Sequence, residues 1–356
     1  MKGKVEFSEI EEKTPFTTDL RGRVIPTGFI YDPDHDNEAL PEFTDDEDWL
    51  NFIPDDDGNL RFFIGEPISG VYFGAEPENP KTDINMTFIE LYYQRLSFPN
   101  VAGLFPSLLD DLRNLSAVLS KMAHYQSSMP TDSFGIQRFI QTELEYLFLL
   151  SRSLYDGLQF IISNTWDLIY AVDEEDNFSA ELPTNSFRKM ALNGHDPVSA
   201  QTLEEKYGIP ESLAEFYSNE AATFSKIRDF RDSIVHQGDS PETIFITEEG
   251  LAVDSTAEPY CDFEAWNEDQ LIENDLAPLW PFVAYIIDNT ISALDRFLTG
   301  LLDKPLHLPY ELAEGYNVYV RGPHIGNVEH LGDLMDEDPW GHNFVQTVEG
   351  RLRVTK

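Results

Sequence analysis

Helical periodicity in the middle of the chain is the feature that most constrains the fold. In four long segments, apolar side chains recur every three or four positions, the spacing that places them on one face of an α-helix. The segments cover residues 104–125, 134–170, 210–236 and 275–302. Four helices of this length are enough to enclose an apolar core. The sequence therefore predicts a mainly α-helical protein built on a four-helix bundle.

The segments on either side of this helical region differ from it in composition. Residues 1–100 are rich in Pro, Gly, aromatic and acidic residues, and the runs GRVIPTGFIY, LRFFIG and GVYFGA are typical of β-strands. The segment TIFITEEGLAVDS predicts a β-hairpin that turns at Glu249 and Gly250, before the last long helix. We therefore divide the chain into a β-rich acidic N-terminal region (1–100), a helical bundle (101–304) and a short C-terminal appendage (305–356).

The chain is strongly acidic. Its 356 residues include 24 Lys and Arg against 65 Asp and Glu, which gives a formal net charge of −41. Such a surface repels phosphate polymers and anionic membranes in dilute salt. Molar salt shortens the Debye length to about 3 Å and screens this repulsion, so the composition indicates a halophilic source. An ordinary acidic protein and a nucleic-acid mimic are the alternatives.

The sequence also predicts a cytoplasmic protein that does not enter a membrane. Cys261 is the only cysteine, so no intrachain disulfide can form, and the opening MKGKVEFSEI lacks the apolar run of a signal peptide. No apolar run reaches the roughly 20 residues that cross a bilayer.

Signals for metal or cofactor chemistry are weak. The segment DPDHDNEALPEF opens like a calcium loop, but Asn37 and Phe43 stand where such a loop needs Gly and Glu. We interpret it as a solvated acidic loop, and Cys261 as a core or loop residue rather than a nucleophile. Phosphate-loop, dinucleotide and zinc-protease motifs do not occur in the sequence. We expect no metal and no cofactor.

The third helical segment carries polar residues in unexpected positions. On a helical wheel, Arg231 falls in the same apolar arc as Phe224, where a guanidinium is costly unless it is paired. Asp232 and His236 are four residues apart and therefore neighbours on the helix, so the carboxylate can orient the imidazole. Arg228, one turn before Asp232, can join this cluster. The alternative is an ordinary helix end, where the dipole favours Arg and His.

The second helical segment is apolar nearly all the way round, as a buried helix should be. One narrow stripe on it is polar, and its members are Glu145, Arg152, Asp156, Gln159 and Ser163. Such a stripe either forms a hydrogen-bonded network or lines a cleft. We predict that the second and third helices pack together and that Glu145 or Asp156 is the counter-ion of Arg231. A buried structural network without chemistry is the alternative.

Together these residues resemble a known motif. The pattern Arg231-Asp232-x-x-x-His236, near the end of the third helix of a predicted four-helix bundle, resembles the R-x4-6-H motif of the HEPN superfamily, in which a polar residue typically follows the arginine. The resemblance covers about residues 104–303. A second match to the pattern, from Arg188 to His195, lies beside Gly and Pro in a predicted loop.

The resemblance implies metal-independent cleavage of RNA at the interface of a homodimer, with Arg231, Asp232 and His236 as the catalytic residues. His236 can act as base or acid, Arg231 can clamp the phosphate, and Asp232 can fix the imidazole tautomer. A dimer would bring two copies of His236 together, one as base and one as acid.

Supporting or substrate-binding roles are expected for four further residues, which are Arg228, Glu145, Arg152 and Asp156. Many HEPN proteins have no nuclease activity and act as binding or scaffold modules. A non-catalytic module with a structural polar network is therefore the alternative function.

Overall fold

A computed structural model gives the fold. It describes residues 3–5, 28–30, 49–54, 60–64, 68–96, 105–129, 135–166, 170–171, 181–183, 186–237, 243–303, 306–307 and 315–354. Within these ranges, side chains are described except at residues 3–5, 28–30, 49–54, 60–64, 95–96, 170–171, 235–237, 273, 306–307 and 351–354. The acidic loop predicted at residues 32–43 lies outside the described residues.

The chain divides into two compact units. The first contains Met1–Leu109, Ile161–Leu182 and Lys304–Gly326, and the second contains Asp110–Phe160, Pro183–Asp303 and Asn327–Lys356. Segments distant in sequence therefore contribute to each unit. Residues 1–100, 101–304 and 305–356 are predicted from the sequence to be separate regions, whereas in the structure residues 304–326 belong to the first unit and residues 327–356 to the second.

The first unit contains a seven-stranded sheet with the order β1-β4-β3-β2-β5-β14-β6. Its strands are β1 (Gly3–Val5), β2 (Gly28–Ile30), β3 (Trp49–Pro54), β4 (Leu60–Ile64), β5 (Gly70–Gly74), β6 (Asp83–Asn85) and β14 (Asn317–Arg321). Neighbouring strands are antiparallel except β2 and β5, which are parallel. Strand β14 lies between β5 and β6, so a segment predicted to be part of an appendage completes this sheet.

A buried ion pair joins β14 to β6 in this sheet. Arg321 Nε lies 2.8 Å from Asp83 Oδ1, and Arg321 Nη2 lies 3.1 Å from Asp83 Oδ2. The hydroxyl of Tyr72 on β5 donates to the same Asp83 Oδ2 at 2.8 Å. The side chain of Arg321 is 5% exposed and that of Asp83 is 0% exposed. Because both carboxylate oxygens and two guanidinium nitrogens are used, the pair satisfies most of its own hydrogen-bonding capacity.

The second unit is mainly helical. Numbered along the chain through both units, the described α-helices are α1 (Thr87–Leu91), α2 (Phe105–Ser128), α3 (Ile136–Thr165), α4 (Arg188–Ala191), α5 (Ala200–Tyr207), α6 (Glu211–Gln237), α7 (Leu279–Leu302), α8 (Leu331–Met335) and α9 (His342–Val354). The remaining strands are β7 (Tyr170–Ala171), β8 (Leu192–Asn193), β9 (Asp196–Pro197), β10 (Phe245–Ile246), β11 (Leu251–Asp254), β12 (Leu276–Pro278) and β13 (Leu306–His307).

The long helices α2, α3, α6 and α7 pair through aromatic and polar contacts. Between α3 and α6, the rings of Phe148 and Phe230 are 4.6 Å apart, which confirms the predicted packing of the second and third helices. Between α6 and α7, Ser212 Oγ donates to the carbonyl of Gly300 at 2.7 Å. Between α2 and α7, Trp280 Nε1 donates to a side-chain oxygen on α2, that of Gln126, at 2.8 Å.

The four predicted long helices and the predicted hairpin are confirmed. The helices extend over 105–128, 136–165, 211–237 and 279–302, each within a few residues of the predicted bounds at most ends. Strands β10 and β11 form the hairpin, and β12 adds a third strand. The apolar periodicity of the four helices and of the hairpin is local in sequence, so it predicts each element without knowledge of the rest of the fold. Of the helices described, none is long and apolar enough to cross a membrane.

Candidate functional site

The candidate site lies in the last turns of α6. Arg231 Nη1 donates to Asp232 Oδ1 at 2.9 Å. The side chain of Arg231 is 34% exposed and that of Asp232 is 37% exposed. The apolar arc of α6 is fully buried at Phe224 and Ile227, whereas Arg231 and Ile234 are only partly buried. Arg231 therefore lies where the buried face of the helix opens towards solvent.

Arg228 is the most buried charged residue of this cluster. Its side chain is 10% exposed, with Nε 3.5 Å from Asp232 Oδ2 and Nη1 3.6 Å from Asp229 Oδ1. Neither distance is within hydrogen-bond range, and Arg228 Nη1 has no hydrogen-bond partner among the described residues. Asp232 is thus approached by two arginines, one at each carboxylate oxygen. We call Arg228, Arg231 and Asp232 the α6 arginine cluster.

The predicted cross-helix pair of Arg231 is wrong. Arg231 pairs with its neighbour Asp232 rather than with an acid of α3. Glu145 lies 3.6 Å from Arg138 Nη1, and Asp156 pairs with Arg152, so both predicted counter-ions have other partners on their own helix. The physical reason is that Arg231 is partly solvated, so it does not need a counter-ion from across the helices.

The polar stripe of α3 serves mainly to connect elements of the helical unit. The guanidinium of Arg152 lies over the ring of Phe224 on α6, with Cζ 4.6 Å from the ring centroid. Asp156 Oδ1 accepts the backbone N–H of Phe187 at 3.0 Å. Gln159 is fully buried, accepts from the hydroxyl of Tyr217 at 2.7 Å and donates to a backbone carbonyl at 2.8 Å. This arrangement agrees with the structural-network alternative for these residues.

His236 lies in the last turn of α6, one turn after Asp232. Its side chain is outside the described part of the chain, so the predicted Asp232–His236 contact stays a prediction. In the second match to the R-x4-6-H pattern, the arginine and the histidine lie on two different elements of the structure. Arg188 begins the short helix α4, and His195 is exposed in the turn between β8 and β9.

A polar cluster that links α3, α6 and α7 around the buried Glu220 was not predicted from the sequence. Glu220 on α6 is 6% exposed. Its carboxylate lies 2.6 Å from Arg296 Nε on α7 and accepts from the hydroxyl of Tyr155 on α3 at 3.0 Å. Burial, with the neighbouring Glu220 carboxylate, raises the pKa of Tyr155 well above its usual value. The signal was present in the sequence, because Glu220 falls between Phe224 and Ile227 on the apolar arc of the helical wheel.

Cys261 does not have the surroundings of a reactive thiol. Cys261 is exposed, and partial burial together with Asp262 and Glu258 raises the pKa of its thiol. A raised pKa lowers the fraction of nucleophilic thiolate, so the interpretation of Cys261 as a non-catalytic residue agrees with its surroundings. Among the side chains described, no group of three or more His, Cys, Asp and Glu residues is placed to hold a metal ion.

Comparison of the chain with models of protein families, with curated proteins and with solved structures gives no match.

Proposed function

We propose that the protein is a cytoplasmic, metal-independent endoribonuclease of HEPN type, with its site at the C-terminal end of α6. The observation that supports this best is that Arg231 is both hydrogen-bonded and exposed. Its guanidinium is held by Asp232 at 2.9 Å, yet 34% of the side chain is exposed. A guanidinium that is positioned and still accessible can accept a phosphate, because Arg binds phosphate oxygens through several N–H groups at once.

The chemistry assigned to these residues is transfer of the phosphate within RNA itself. A base removes the proton of the 2′-hydroxyl, the 2′-oxygen attacks phosphorus, and the bond to the 5′-oxygen breaks with its protonation by an acid. The products are a 2′,3′-cyclic phosphate and a free 5′-hydroxyl. His236 has the intrinsic pKa for either proton transfer, and Arg231 stabilises the charge that develops on the phosphate. A homodimer would supply the second histidine.

The α6 arginine cluster also supports a second candidate, a non-catalytic binding module. Asp232 is approached by Arg231 at 2.9 Å and by Arg228 at 3.5 Å, so its charge is shared between two cations. With Asp229 3.6 Å from Arg228, two carboxylates balance two guanidiniums. Such local neutrality is expected of a cluster whose role is to hold the end of α6 in place.

A cleavage assay distinguishes the two functions. The purified protein is incubated in EDTA with single-stranded RNA and with DNA of the same sequence, which lacks the 2′-hydroxyl. The series covers roughly 0.1 to 2 M KCl, because the acidic surface repels RNA in dilute buffer. We expect cleavage of RNA alone, 2′,3′-cyclic phosphate ends, and a loss of about 100-fold or more in His236→Ala.

The second R-x-H match provides a matched control. His195 is exposed in the β8–β9 turn, so His195→Ala should cleave RNA at the rate of the wild type. Equal cleavage by wild type and His236→Ala would point to a contaminating nuclease and overturn the proposal. If wild type leaves RNA intact at every KCl concentration, the binding-module function replaces it.

A further inference from the structure

The hairpin formed by β8 and β9 carries an asparagine followed by a glycine at its tip. Asn193 ends β8, Gly194 and His195 form the two-residue loop, and Asp196 begins β9. In the whole sequence this is the one place where glycine follows asparagine. Such a pair is prone to deamidation, because a glycine nitrogen has no Cβ beside it to hinder its approach to the asparagine amide. The hairpin tip is therefore a candidate site of chemical modification.

The turn itself requires this glycine. Gly194 has a φ of +72°, whereas His195 is not in the positive-φ region. A positive φ at the first loop residue alone is typical of a type II′ hairpin turn, which favours glycine there. A Cβ placed on Gly194 would meet no atom within 4 Å apart from its chain neighbours, so open space surrounds this residue. The fold therefore creates the asparagine–glycine pair and leaves it accessible.

Nothing in the described part of the chain holds the two groups that would react. The side-chain amide of Asn193 makes no hydrogen bond there, and neither does the N–H of Gly194. Residues 193–197 are all exposed. By contrast, the amide of Asn289 on α7 donates to the carbonyl of Tyr285 at 2.9 Å. Asn193 is thus free to turn its side chain towards the main chain.

The hairpin is short enough to open at its tip. Its ladder has two register pairs, Asn193 with Asp196 and Leu192 with Pro197. So short a pair of strands is marginally stable by itself, and the exposed end of a ladder opens at low cost in free energy. Opening releases the backbone of Asn193 from its strand conformation, so that its Cγ can approach the nitrogen of Gly194.

We propose that Asn193 is a site of spontaneous deamidation and that the carboxylate formed there loosens the β8–β9 hairpin. The nitrogen of Gly194 bonds to Cγ of Asn193 and loses its proton to water. The Cγ–Nδ2 bond breaks as Nδ2 takes up a proton and leaves as ammonia. Water then opens the cyclic imide at either carbonyl, which gives aspartate or isoaspartate. The reaction needs water alone and is independent of the proposed function, because it involves no residue of the α6 arginine cluster.

The product places two negative charges opposite each other. Asn193 and Asp196 are directly paired across the ladder. In an antiparallel pair the Cβ atoms of such residues lie about 4.5–5.5 Å apart, and like charges at these positions destabilise the pairing. Isoaspartate also adds a methylene group to the main chain of β8, which disturbs the register of the strands. The modified hairpin therefore opens more often than the original one.

The reaction is tested on the full folded chain, incubated in mildly alkaline buffer. Trypsin releases residues 190–206, in which Asn193 is the only asparagine, and mass spectrometry measures conversion of its amide to the acid. Residues 114–121 are the internal control, because their only asparagine, Asn114, lies within α2 and precedes a leucine. We expect conversion at Asn193, an intact amide at Asn114, and loss of the conversion in Asn193→Gln, whose longer side chain closes the ring far more slowly.

Three results would overturn the proposed reaction. They are an unchanged peptide 190–206, equal conversion at Asn114 and Asn193, and conversion of Asn193 only when the chain is unfolded in urea. The first would show that the hairpin protects the amide, the second that hydrolysis is general, and the third that the folded tip does not react.

The effect on the hairpin is tested with Asn193→Asp, which carries the product charge from the start. The N–H of Val198 donates to the carbonyl of Ala191 at 2.9 Å, next to the ladder. Its hydrogen exchange in dilute salt should be about two- to fivefold faster than in the wild type. The double variant Asn193→Asp/Asp196→Asn removes the repulsion and should exchange as the wild type does. Unchanged exchange in Asn193→Asp, or no recovery in the double variant, would overturn the proposed loosening.

Discussion

Arg231 donates a hydrogen bond to Asp232, the residue that follows it on α6, over a distance of 2.9 Å. The same carboxylate has its other oxygen 3.5 Å from the Nε of Arg228, which is buried. Asp232 is therefore the residue on which both arginines depend, and Arg231 is the one that faces solvent. This order of dependence has consequences for stability that differ from those expected of a cross-helix pair.

We expect Asp232→Ala to lower the free energy of unfolding by about 1–3 kcal/mol, because the buried guanidinium of Arg228 loses one of the two carboxylates that balance its charge. Arg231→Ala should change stability by no more than about 0.5 kcal/mol, as is usual for a partly exposed residue. Urea denaturation of both variants measures the difference. A larger loss in Arg231→Ala than in Asp232→Ala would contradict this account of the cluster.

The buried pair of Asp83 and Arg321 provides a second prediction. Arg321→Ala leaves Asp83 as an uncompensated charge in the sheet. We therefore expect the free energy of unfolding to fall by about 3–5 kcal/mol. Faster hydrogen exchange of the amides of β5, β14 and β6 is the measurement, because it reports this sheet directly. Arg188→Ala, at an exposed position, is the control. Unchanged exchange in Arg321→Ala would show that the pair does not hold β14 in the sheet.

Asp111 gives a prediction about pH. Burial raises the pKa of this carboxyl above its usual value, with the charge of Asp110 adding to the effect. A carboxyl whose pKa is higher in the folded state favours folding below the unfolded pKa, and this contribution is lost as the pH rises through the folded value. At pH 7 the ionised Asp111 is therefore destabilising.

Asp111→Asn should consequently raise the melting temperature at pH 7, and the gain should shrink as the pH falls through the raised folded pKa and vanish below the usual pKa of Asp, about 4. Asp269→Asn is the matched control, because this carboxyl is exposed and is not among the causes of the Asp111 shift. Thermal unfolding at several pH values measures both. A gain that is independent of pH would mean that ionisation of Asp111 is not its cause.

The acidic composition predicts a dependence on salt. With a net charge of −41, repulsion among the carboxylates opposes the compact state. We expect the melting temperature to rise with KCl into the molar range, where the Debye length falls to about 3 Å. A melting temperature that is flat or falls between dilute and molar KCl would rule out a halophilic adaptation.

The sequence by itself determined the long helices and the β10–β11 hairpin. Each depends on a pattern within one continuous segment, so its prediction needs no information from elsewhere in the chain. The apolar arc of α6 was visible in the same way, and it included Arg231. The burial of Glu220 could also have been predicted from the sequence, because Glu220 falls between Phe224 and Ile227 on that arc.

Only the tertiary structure decided which residues are partners. Strand β14 pairs with β5 and β6 across more than two hundred residues of sequence. The strand-like run in the tail predicts a strand, but it does not indicate which strands are its partners. Likewise, the wheel could not show that α6 emerges into solvent near Arg231, or that Arg228 is the more buried arginine. Strand pairing and burial depend on elements that are remote in sequence, and periodicity within one segment reports only the face that a residue occupies.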